Sequence, residues 1–375
     1  MVTNPDVVII GGGLAGLASA IHLSKNGLQV TLIEKSWYPR HKVCGEYISN
    51  EILPYLHYLG LNPAQLEPAR IDKFEFTIKN GKAAKATLPL GGFGISRYAL
   101  DNLLYQKAVD NGCTVLKDMV SNISFKNETF TVSTSTTTLS TKIALGAFGK
   151  RSNLDQHLSR EFVAKKSPWL AVKGHYSGTF PDGLVALHNF KGGYCGVSKV
   201  ENNVLNICYL ADYKTFKKYK NIDDYQNYVL HKNKHLRSIL SNATPLFEKP
   251  LTISQISFDK KLPVENHILM VGDTAGLIHP LCGNGMAMAV HSAKIAAELV
   301  LGYYTGKIQS RHQLEKMYSK EWKMHFGRRL LMGRILAKLL TSETLTNFAM
   351  NATVALPGLL SYIIKQTHGK PIVIN

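Results

Sequence analysis

The sequence predicts an α/β fold that combines a parallel β-sheet with an inserted β-sheet and a helical C-terminus. Residues 6–35 follow the order strand, glycine-rich turn, helix and strand, and residues 267–301 return to a buried strand followed by a long apolar helix. The segments between these two units are rich in Thr, Val and Ile with the pattern of strands. Strands that alternate with helices indicate a parallel sheet, whereas a run of strands indicates a separate sheet.

The first unit, residues 6–35, carries the clearest pattern. Val7 to Ile10 form a continuous apolar run, as in a parallel strand that is buried on both faces. The helix that follows has one apolar face and ends at Asn26-Gly27, after which VTLIE forms the second strand. The apolar face of the helix is formed by Leu14, Leu17, Ala18 and Ile21.

The remaining elements are predicted from shorter signals. An Asn-Gly pair between strand patterns predicts a tight hairpin, and a serine before an apolar period predicts the start of a helix. We therefore expect, in chain order, a hairpin at 74–88 around Asn80-Gly81, a helix at 96–112 capped by Ser96, strands at 113–149 and 169–210, a helix at 223–240 and a long apolar helix at 284–301.

The composition is that of a globular protein with a substantial core. The 375 residues are 45% hydrophobic and 19% charged, and the formal net charge is +18. The basic residues are spread out, without a helix-turn-helix, zinc-finger or aromatic RNA-binding motif, so we predict no nucleic-acid partner. The 14 histidines are scattered and the five cysteines lack a CxxC spacing, so we predict no metal site. The N-terminus lacks a signal-peptide pattern, which predicts a reducing, cytoplasmic location.

The C-terminal region is both basic and apolar. Residues 311–375 contain ten Lys or Arg and three Glu. Within them, RRLLMGRILAKLL at 328–340 places Leu331, Ile335 and Leu339 at intervals of four, with the basic residues mostly off that line. The pattern is typical of a helix on a membrane surface, and also of a helix that packs on a core. The apolar stretch that follows is shorter than the ~20 residues of a spanning helix, so any membrane contact is expected to be peripheral.

A glycine-rich loop follows the first strand. Gly11, Gly13 and Gly16 form GxGxxG, and Glu34 ends the second strand 18 residues later. The first glycine permits the tight turn, the second lets the backbone approach a pyrophosphate, and the third lets the helix and strand pack closely. The helix N-terminus attracts the phosphates, and Glu34 can bind ribose hydroxyls. The loop thus predicts a dinucleotide site. Because residues 35–49 lead into hairpins and not into further strand–helix units, FAD is favoured over NAD.

A set of six motifs connects the chain to a known family. This set resembles the geranylgeranyl-reductase-like branch of the FAD-dependent oxidoreductases, in a superfamily with the aromatic hydroxylases (group A flavoprotein monooxygenases) and flavin halogenases. The resemblance covers roughly residues 5–300. The motifs are GGGLAG at 11–16, IEK with PRHKVCGE at 33–46, SRYALDNLL at 96–104, GAFGKRS at 146–152, GGYCG at 192–196 and VGDTAGLIHPLCGNGMAMA at 271–289.

The resemblance implies a domain arrangement. It consists of a Rossmann-type FAD-binding domain of the glutathione-reductase-like kind, an inserted β-sheet substrate domain and a helical C-terminus. The expected boundaries are 1–70, 96–160 and 262–305 for the discontinuous FAD-binding domain, 71–95 and 161–261 for the substrate-binding domain, and 306–375 for the C-terminal helical region.

The resemblance also implies roles for individual residues. Arg97 is expected to meet the FAD phosphate and ribityl region, Val120 to touch the adenine through its backbone, and Asp273 to bind the ribityl chain. Cys44 and Gly45 are expected beside the flavin ring, and the N-terminus of the 284–301 helix is expected to face it. The full set of expected FAD-binding residues is Gly11, Gly13, Leu14, Ala15, Gly16, Glu34, Cys44, Gly45, Arg97, Val120, Asp273, Gly283, Asn284 and Gly285.

The chain departs from its relatives at two motifs. Where the hydroxylases have Asp-Gly, this chain has Phe148-Gly149. The resemblance links that Asp to flavin and NAD(P)H handling, so its replacement disfavours direct reduction by NAD(P)H and the standard hydroxylase cycle, and leaves NAD(P)H as one candidate electron donor. The halogenase signature WxWxIP is missing as well, because Trp169 stands alone in SPWLAVKG. The resemblance therefore favours a reductase or a hydroxylase over a halogenase.

Three functions follow as expectations. The first is an FAD-dependent oxidoreductase that transfers hydride to or from a lipophilic molecule of the isoprenoid or aromatic, polyketide-like class. The second is an FAD-dependent monooxygenase that hydroxylates an aromatic ring with NAD(P)H and O₂. The third, a flavoprotein without turnover, is disfavoured by intact motifs at both ends of the cofactor site. Cys44 and His279 are candidate catalytic residues, and Tyr194 is a candidate substrate contact.

Overall fold

The computed structural model describes residues 4–219 and 221–374, except for the side chains of residues 340, 341 and 357. The strands are β1 (Val7–Ile10), β2 (Val30–Glu34), β3 (Tyr47–Ser49), β4 (Ala69–Thr77), β5 (Ala83–Gly94), β6 (Thr114–Lys117), β7 (Val120–Lys126), β8 (Thr129–Thr134), β9 (Thr138–Thr141), β10 (Ile143–Gly146), β11 (Trp169–Ser177), β12 (Gly183–Phe190), β13 (Gly193–Lys199), β14 (Leu205–Asp212), β15 (Thr244–Pro245), β16 (Leu251–Ser254), β17 (Val264–Glu265) and β18 (Ile268–Met270).

The helices are distributed along the whole chain, with the longest ones at its C-terminal end. They are α1 (Leu14–Lys25), α2 (Leu53–Tyr58), α3 (Arg97–Asp110), α4 (Asn153–His157), α5 (Tyr213–Phe216), α6 (Ile222–Tyr228), α7 (Lys234–Ser241), α8 (Gly285–Tyr304), α9 (Arg311–Thr341), α10 (Glu343–Ala355) and α11 (Pro357–Thr367).

The first sheet is the predicted Rossmann-type sheet. Its strand order is β17-β18-β10-β1-β2-β6, and β1 lies parallel to both β2 and β10. Val7 to Ile10 are buried, and helix α1 packs both on β1 and on α8. Strand β18 comes from residues more than 250 positions after β1, and it joins this sheet beside β10. The α/β fold class and the return of the chain to the first sheet are confirmed.

The second sheet is larger and mostly antiparallel. Its order is β15-β11-β14-β13-β12-β4-β5-β3, with β16 also paired to β11. The predicted hairpin forms between β4 and β5, where Thr77 pairs with Ala83 across the turn. Strand β3 also belongs to this sheet, through its pairing with β5. The strand pairing thus crosses the predicted boundary at residue 70, because β3 lies within 1–70.

Two helix predictions have different outcomes. Helix α3 begins as predicted, since the Ser96 hydroxyl accepts a hydrogen bond from the Ala99 N–H at 3.1 Å. The single helix predicted at 223–240 is wrong, because the segment is divided into α6 and α7 by a turn. Asn233 lies in that turn and caps α7 by accepting hydrogen bonds from two N–H groups of the first turn. The apolar period alone did not reveal this internal cap.

The C-terminal region is helical, as predicted. Helix α9 buries Trp322, Phe326 and Leu330, while Leu331 and Ile335 are about half exposed. Helix α11 packs on β5 of the large sheet. Among the described residues no single helix is long and apolar enough to cross a bilayer; α10 and α11 reach that length and composition only together, and the pair is bent by 116°.

Candidate functional site

A large cavity begins at the carboxyl ends of the parallel strands. Its volume is about 740 Å³, and Ile10, Glu34, Ala147 and Val271 at or just after the ends of β1, β2, β10 and β18 form one wall. From there it continues between the large sheet and helices α9–α11. Open α/β sheets bind their ligands in this crevice because the loops after neighbouring strands diverge there.

The first glycine loop leaves open space at Gly13, where a ligand can approach the backbone. Gly11 has a φ of +105°, and a Cβ on it would lie 2.4 Å from the Ala147 carbonyl oxygen. A Cβ on Gly16 would lie 2.0 Å from the Gly11 carbonyl oxygen. A Cβ on Gly13, by contrast, would meet no protein atom within 4 Å. Gly11 and Gly16 are thus required by packing, whereas Gly13 faces the open cavity.

The N-terminus of α1 is also left free for a ligand. Gly13 occupies its N-cap position, and no side chain caps the first turn. The N–H groups of a helix's first turn lack partners within the helix and carry partial positive charge. An uncapped helix N-terminus that opens into a cavity is suited to a phosphate.

The second glycine loop repeats this arrangement on the other side of the cavity. Gly283 and Gly285 line the cavity, and Gly283 has a φ of +62°. Helix α8 begins at Gly285, and no side chain caps its first turn either. The prediction that this helix N-terminus faces the site agrees with the geometry. The two loops, which the sequence separates widely, lie on one cavity.

The side chain of Asn284 has partners within the protein, while the expected approach of its backbone to the flavin stays a prediction. Its side chain is fully buried and points away from the cavity, where Nδ2 donates to Glu51 Oε2 at 3.2 Å and Oδ1 accepts from Arg329 at 3.0 Å. Asn is a preferred N-cap residue, yet here its side chain is held elsewhere. The consequence is that the first-turn N–H groups of α8 stay available to a ligand.

A basic cluster lies at the end of the cavity near α3. Arg97 donates to Asp101 from Nε and Nη2 at 2.6 and 2.8 Å, and Lys42 donates to the same carboxylate at 2.7 Å. Burial acts to raise the pKa of Asp101, but Arg97 and Lys42 together outweigh it and hold the pKa below its usual value. The cluster therefore keeps one net positive charge beside the cavity, which suits a phosphate.

Glu34 and Val120 lie where a nucleoside would extend. Glu34 Oε2 accepts a hydrogen bond from the Gly12 N–H at 2.8 Å, and Oε1 accepts one from Arg40 at 2.8 Å. These contacts hold the carboxylate against the glycine loop. Both Glu34 and Val120 line the cavity. Their positions suit the predicted roles, and binding of the ribose and adenine stays a prediction.

The predicted residues of the central cavity are also brought together. Cys44, Gly45, Tyr194 and Asp273 line it, although they come from three distant parts of the chain. A Cβ on Gly45 would meet no protein atom within 4 Å, as at Gly13. Of the residues predicted to bind FAD in the first loop, Gly16 does not line the cavity, in keeping with its packing role.

His279 lies behind the cavity wall. Its ring packs against Trp169, Tyr194 and Phe258 at centroid distances of 5.9, 5.8 and 4.5 Å, and neither ring nitrogen has a hydrogen-bond partner in the described part of the chain. Burial lowers its pKa to about 4. This position does not suit the proton donor to a substrate that the sequence suggested.

A pH dependence of stability follows from His279. Its pKa is about 4 in the folded chain and about 6.5 when exposed on unfolding, so the folded state keeps it neutral. His279 therefore leaves the free energy of unfolding unchanged above pH ~6.5. As the pH falls from there towards 4, the unfolded state takes up the proton first, and the free energy of unfolding decreases by on the order of 3 kcal/mol. We expect His279→Phe, measured by urea unfolding between these pH values, to lose less stability than the wild type. The same change at exposed His312 should leave the pH dependence unaltered, and an equal loss in both variants would contradict this assignment.

Sequence reasoning missed a buried ionic group that holds the Cys44 loop. Glu46, with φ +52°, accepts hydrogen bonds from Lys173 Nζ at 2.5 Å and His175 Nε2 at 2.7 Å, both on β11. The Arg97 N–H donates to the same carboxylate at 2.7 Å. Burial acts to raise the pKa of Glu46, but the hydrogen bond from His175 and the charge of Lys173 lower it overall. The group joins the cofactor-side loop to the large sheet. Glu46 is 51 residues from Arg97 and 127 or more from Lys173 and His175, so no local pattern could have found the group.

A second missed group connects the C-terminal region to the site. Glu51 accepts hydrogen bonds from Arg329 at 3.0 Å, from Asn284 and from the Gly369 N–H at 2.5 Å. Its backbone carbonyl accepts from the Ile372 N–H at 2.8 Å. The helix α9, the chain end and the turn before α8 thus meet on one buried carboxylate. The C-terminal region, which the family resemblance leaves unassigned, is part of the architecture of the site.

The residues present fit FAD. Two uncapped helix N-termini open into the same cavity, Gly13 and Gly45 leave space where a Cβ would otherwise project, and a basic cluster stands at one end. Glu34 and Asp273 supply acceptors at two separate points, as a ligand with ribose and ribityl hydroxyls requires.

Comparison with known proteins gives the same assignment. The profile of a family described as FAD dependent oxidoreductase matches residues 6–42. A tryptophan 2-halogenase of Chondromyces crocatus is 23% identical over 87% of this chain and 66% of its own. A menaquinone reductase of Mycobacterium tuberculosis is 24% identical over 90% of this chain and 84% of its own. A digeranylgeranylglycerophospholipid reductase of Methanococcus vannielii is 24% identical over 85% and 82%.

Solved structures show the same fold. The flavin-dependent brominase Bmp2 superimposes with a TM-score of 0.79 at 19% identity, over 97% of this chain and 93% of the brominase. The halogenase PltM in complex with phloroglucinol and FAD gives a TM-score of 0.76 at 15% identity, over 96% and 82%. At this identity the likeness establishes the architecture alone. The chain is thus similar over most of its length to FAD-dependent oxidoreductases, among them menaquinone reductases, a digeranylgeranylglycerophospholipid reductase and flavin halogenases, and its first 40 or so residues match the FAD dependent oxidoreductase family itself.

Proposed function

We propose that the enzyme is an FAD-dependent reductase that transfers hydride to a lipophilic molecule with an isoprenoid chain. The observation that carries the proposal is the continuity of the cavity: beyond the two glycine loops it becomes an apolar channel between the large sheet and the C-terminal helices. Its walls there are formed by Phe74, Phe76, Leu88, Val185, Leu187 and Leu210 on the sheet, and by Leu336, Leu339, Met350, Leu360, Ile363 and Ile364 on the helices.

An apolar channel of this kind favours a ligand with a long hydrocarbon part. Burying apolar surface is favourable by about 25 cal/mol per Å², and the apolar side chains that form these walls in the described part of the chain offer a polar ligand no compensation for its lost hydration. The names of two relatives support this class, since one is a menaquinone reductase and another a digeranylgeranylglycerophospholipid reductase. Both substrates in those names carry long isoprenoid chains.

The chain supplies orientation and electrostatics for this reaction. Bound FAD would supply the hydride chemistry. The uncapped first turn of α8 directs partial positive charge into the cavity, which stabilises developing negative charge there. Burial raises the pKa of Tyr194 well above its ordinary value, so its hydroxyl stays protonated and can donate a hydrogen bond to a substrate. The apolar walls exclude water from the reacting atoms.

Phe148 decides how the enzyme is expected to receive electrons. It lines the cavity directly beside Gly11, where the hydroxylases have Asp. In the hydroxylases the flavin is reduced under control of the substrate, and this chain lacks the acidic residue that they have at this position. We propose that NAD(P)H, or another donor of reducing equivalents, reduces the flavin whether or not a substrate is bound.

Stopped-flow mixing with NADPH and with NADH tests this proposal. Rapid bleaching of the flavin absorbance without any substrate, followed by reoxidation on adding menaquinone under anaerobic conditions, would support the reductase. Reduction that needs an aromatic ligand, with product formation that needs O₂, would support the monooxygenase instead. A purified protein that binds no FAD after reconstitution would overturn both.

Asp273 is expected to be required for tight FAD binding. It lines the cavity, its backbone carbonyl accepts from Lys261 Nζ at 2.9 Å, and no hydrogen bond within the described residues engages its carboxylate. That free carboxylate is suited to the ribityl hydroxyls. Because a hydrogen bond to a charged group is worth about 1.5–3 kcal/mol, we expect Asp273→Ala to weaken FAD binding by roughly 10- to 100-fold in a fluorescence titration.

The control for Asp273 is Asp259, which is partly exposed and lies outside the cavity. Asp259→Ala should bind FAD as the wild type does. Stoichiometric FAD retained by Asp273→Ala through extensive dialysis would remove Asp273 from the site.

A further inference from the structure

The outer surface of helices α9–α11 is unusually apolar. Among the described residues, nineteen large apolar side chains are exposed, and nine of them lie in the 46 residues from 317 to 362. Phe348 is 73% exposed and Leu356 is 61% exposed. Clusters of exposed apolar side chains mark contact surfaces, whereas isolated ones carry no meaning. The nine are Met317, Met324, Leu331, Ile335, Leu345, Phe348, Val354, Leu356 and Tyr362.

The inner surface of the same helices is apolar as well. Helix α10 lines the cavity with Ala349, Met350 and Thr353, while Leu345 and Phe348 on the same helix are exposed. A helix that only covers a soluble core has one apolar face and one polar face. Helices α10 and α11 therefore separate two apolar environments, the cavity inside and a second one outside.

Basic side chains on α9, α11 and the β4–β5 hairpin form a basic rim beside the exposed apolar side chains. Arg328, Lys338 and Lys365 are exposed on α9 and α11. The β4–β5 hairpin adds Lys82, whose Nζ donates to Asn351 on α10 at 2.7 Å, whereas Lys79 is paired with Glu343 at 3.6 Å and adds no net charge. Apolar side chains within a rim of cations match the chemistry of an anionic lipid surface, which offers hydrocarbon beneath a layer of negative headgroups.

The bend between α10 and α11 sets the depth of contact. The helices have 13 and 11 residues, so each is only about 16–20 Å long and neither reaches across the ~30 Å hydrocarbon layer. Because the chain bends by 116° between α10 and α11, the pair does not form one continuous span, and it suits a position in the headgroup region.

We propose that helices α9–α11 dock on an anionic membrane, with Phe348 and Leu356 inserted, and that the lipophilic substrate passes from the bilayer between α10 and α11 into the cavity. The second half of this statement rests on the proposed reductase function, whereas the docking itself does not. Shielding exposed apolar side chains, Phe348 and Leu356 first among them, is the gain, and the basic rim selects the lipid charge.

Co-sedimentation of the FAD-loaded protein with lipid vesicles tests the docking. We expect binding to vesicles with roughly 30% phosphatidylglycerol in phosphatidylcholine, much weaker binding to pure phosphatidylcholine, and loss of the difference when salt is raised to about 0.5 M. Each rim charge is expected to contribute about fivefold, so Arg328→Gln with Lys365→Gln should weaken binding to the anionic vesicles by roughly 25-fold. Equal binding to both vesicle types, or none to either, would overturn the proposal.

A matched pair of variants locates the contact. The double variant Phe348→Ser with Leu356→Ser should bind anionic vesicles at least about tenfold more weakly than the wild type. Leu246→Ser, which removes a side chain that is 51% exposed on the large-sheet side, should bind unchanged. FAD content and thermal unfolding report whether each variant is folded. Unchanged vesicle binding by the folded double variant would exclude this surface.

Turnover with the substrate presented in vesicles or in detergent micelles tests the membrane docking separately from the proposed reaction. With menaquinone presented in vesicles, the double variant should turn over at least about tenfold more slowly than wild type, and with menaquinone in detergent micelles the two should be equal. Equal loss in both media would overturn the entry path between α10 and α11. A wild type that turns over in detergent but does not bind vesicles would overturn the docking and leave the reductase intact. A wild type that binds vesicles but reduces no menaquinone would overturn the reductase and leave the docking intact.

Discussion

Gly13→Val protein is expected to purify without FAD while it keeps the fold of the wild type. The wild-type Gly13 has an ordinary extended conformation, with φ −85° and ψ −176°, and no protein atom lies where its Cβ would project. A valine there fits the protein and fills the space above the N-terminus of α1. Overfilling a close-fitting site costs on the order of 3 kcal/mol, so the affinity for FAD should fall by about 100-fold or more.

Gly16 provides the contrasting variant. A side chain at Gly16 would collide with the Gly11 carbonyl oxygen at 2.0 Å, so Gly16→Val should lower the melting temperature of the protein even when no FAD is present. Gly13→Val should cost no more than about 1 kcal/mol of apoprotein stability, the typical effect of a poor N-cap residue. The flavin absorbance and calorimetric unfolding of both variants measure these effects. If Gly13→Val kept its FAD, the cofactor would not lie on α1.

Replacing Arg329 is expected to cause the largest loss of stability. Its side chain is 11% exposed, and its guanidinium donates to the fully buried Glu51 and to Asn284. Removing one partner of a buried ion pair leaves the other charge without compensation, which costs about 3–5 kcal/mol. Arg329→Met should therefore lower the urea midpoint strongly. It should also weaken FAD binding, because Asn284 is then free to cap α8 and compete with the ligand for its first-turn N–H groups.

The neighbouring residue is the control for Arg329. Arg328 is exposed on the same helix, so Arg328→Met removes the same charge and should change the free energy of unfolding by less than about 0.5 kcal/mol. Similar losses from both variants would mean that the helix position, and not the ion pair, is responsible. A destabilised Arg329→Met that binds FAD normally would separate the C-terminal region from the cofactor site.

The cofactor half of the site could be predicted because its signals are local. Gly11, Gly13 and Gly16 act through backbone geometry within one turn, and that geometry requires the same spacing wherever the turn occurs. The placement of Arg97, Val120 and Asp273 on the same cavity depended on the family resemblance, since no spacing within the chain connects them.

Side-chain partners that are distant in sequence could not be predicted. Asn284 was expected beside the cofactor through its backbone, and its side chain is bound by Glu51 and Arg329. His279 was a candidate proton donor, but aromatic side chains from β11, β13 and the segment before β17 enclose it. Neither set of neighbours leaves any trace in the local sequence.

The sequence by itself determined the α/β class, the dinucleotide loop and the basic, apolar character of the C-terminus, because each depends on the type and spacing of nearby residues. Only the tertiary structure decided that the C-terminal helices have two apolar faces, that one of them closes the cavity, and that Glu51 ties them to the cofactor turn. Those properties depend on which face of a helix meets which neighbour, and that choice is made by packing over the whole chain and not by any segment of it.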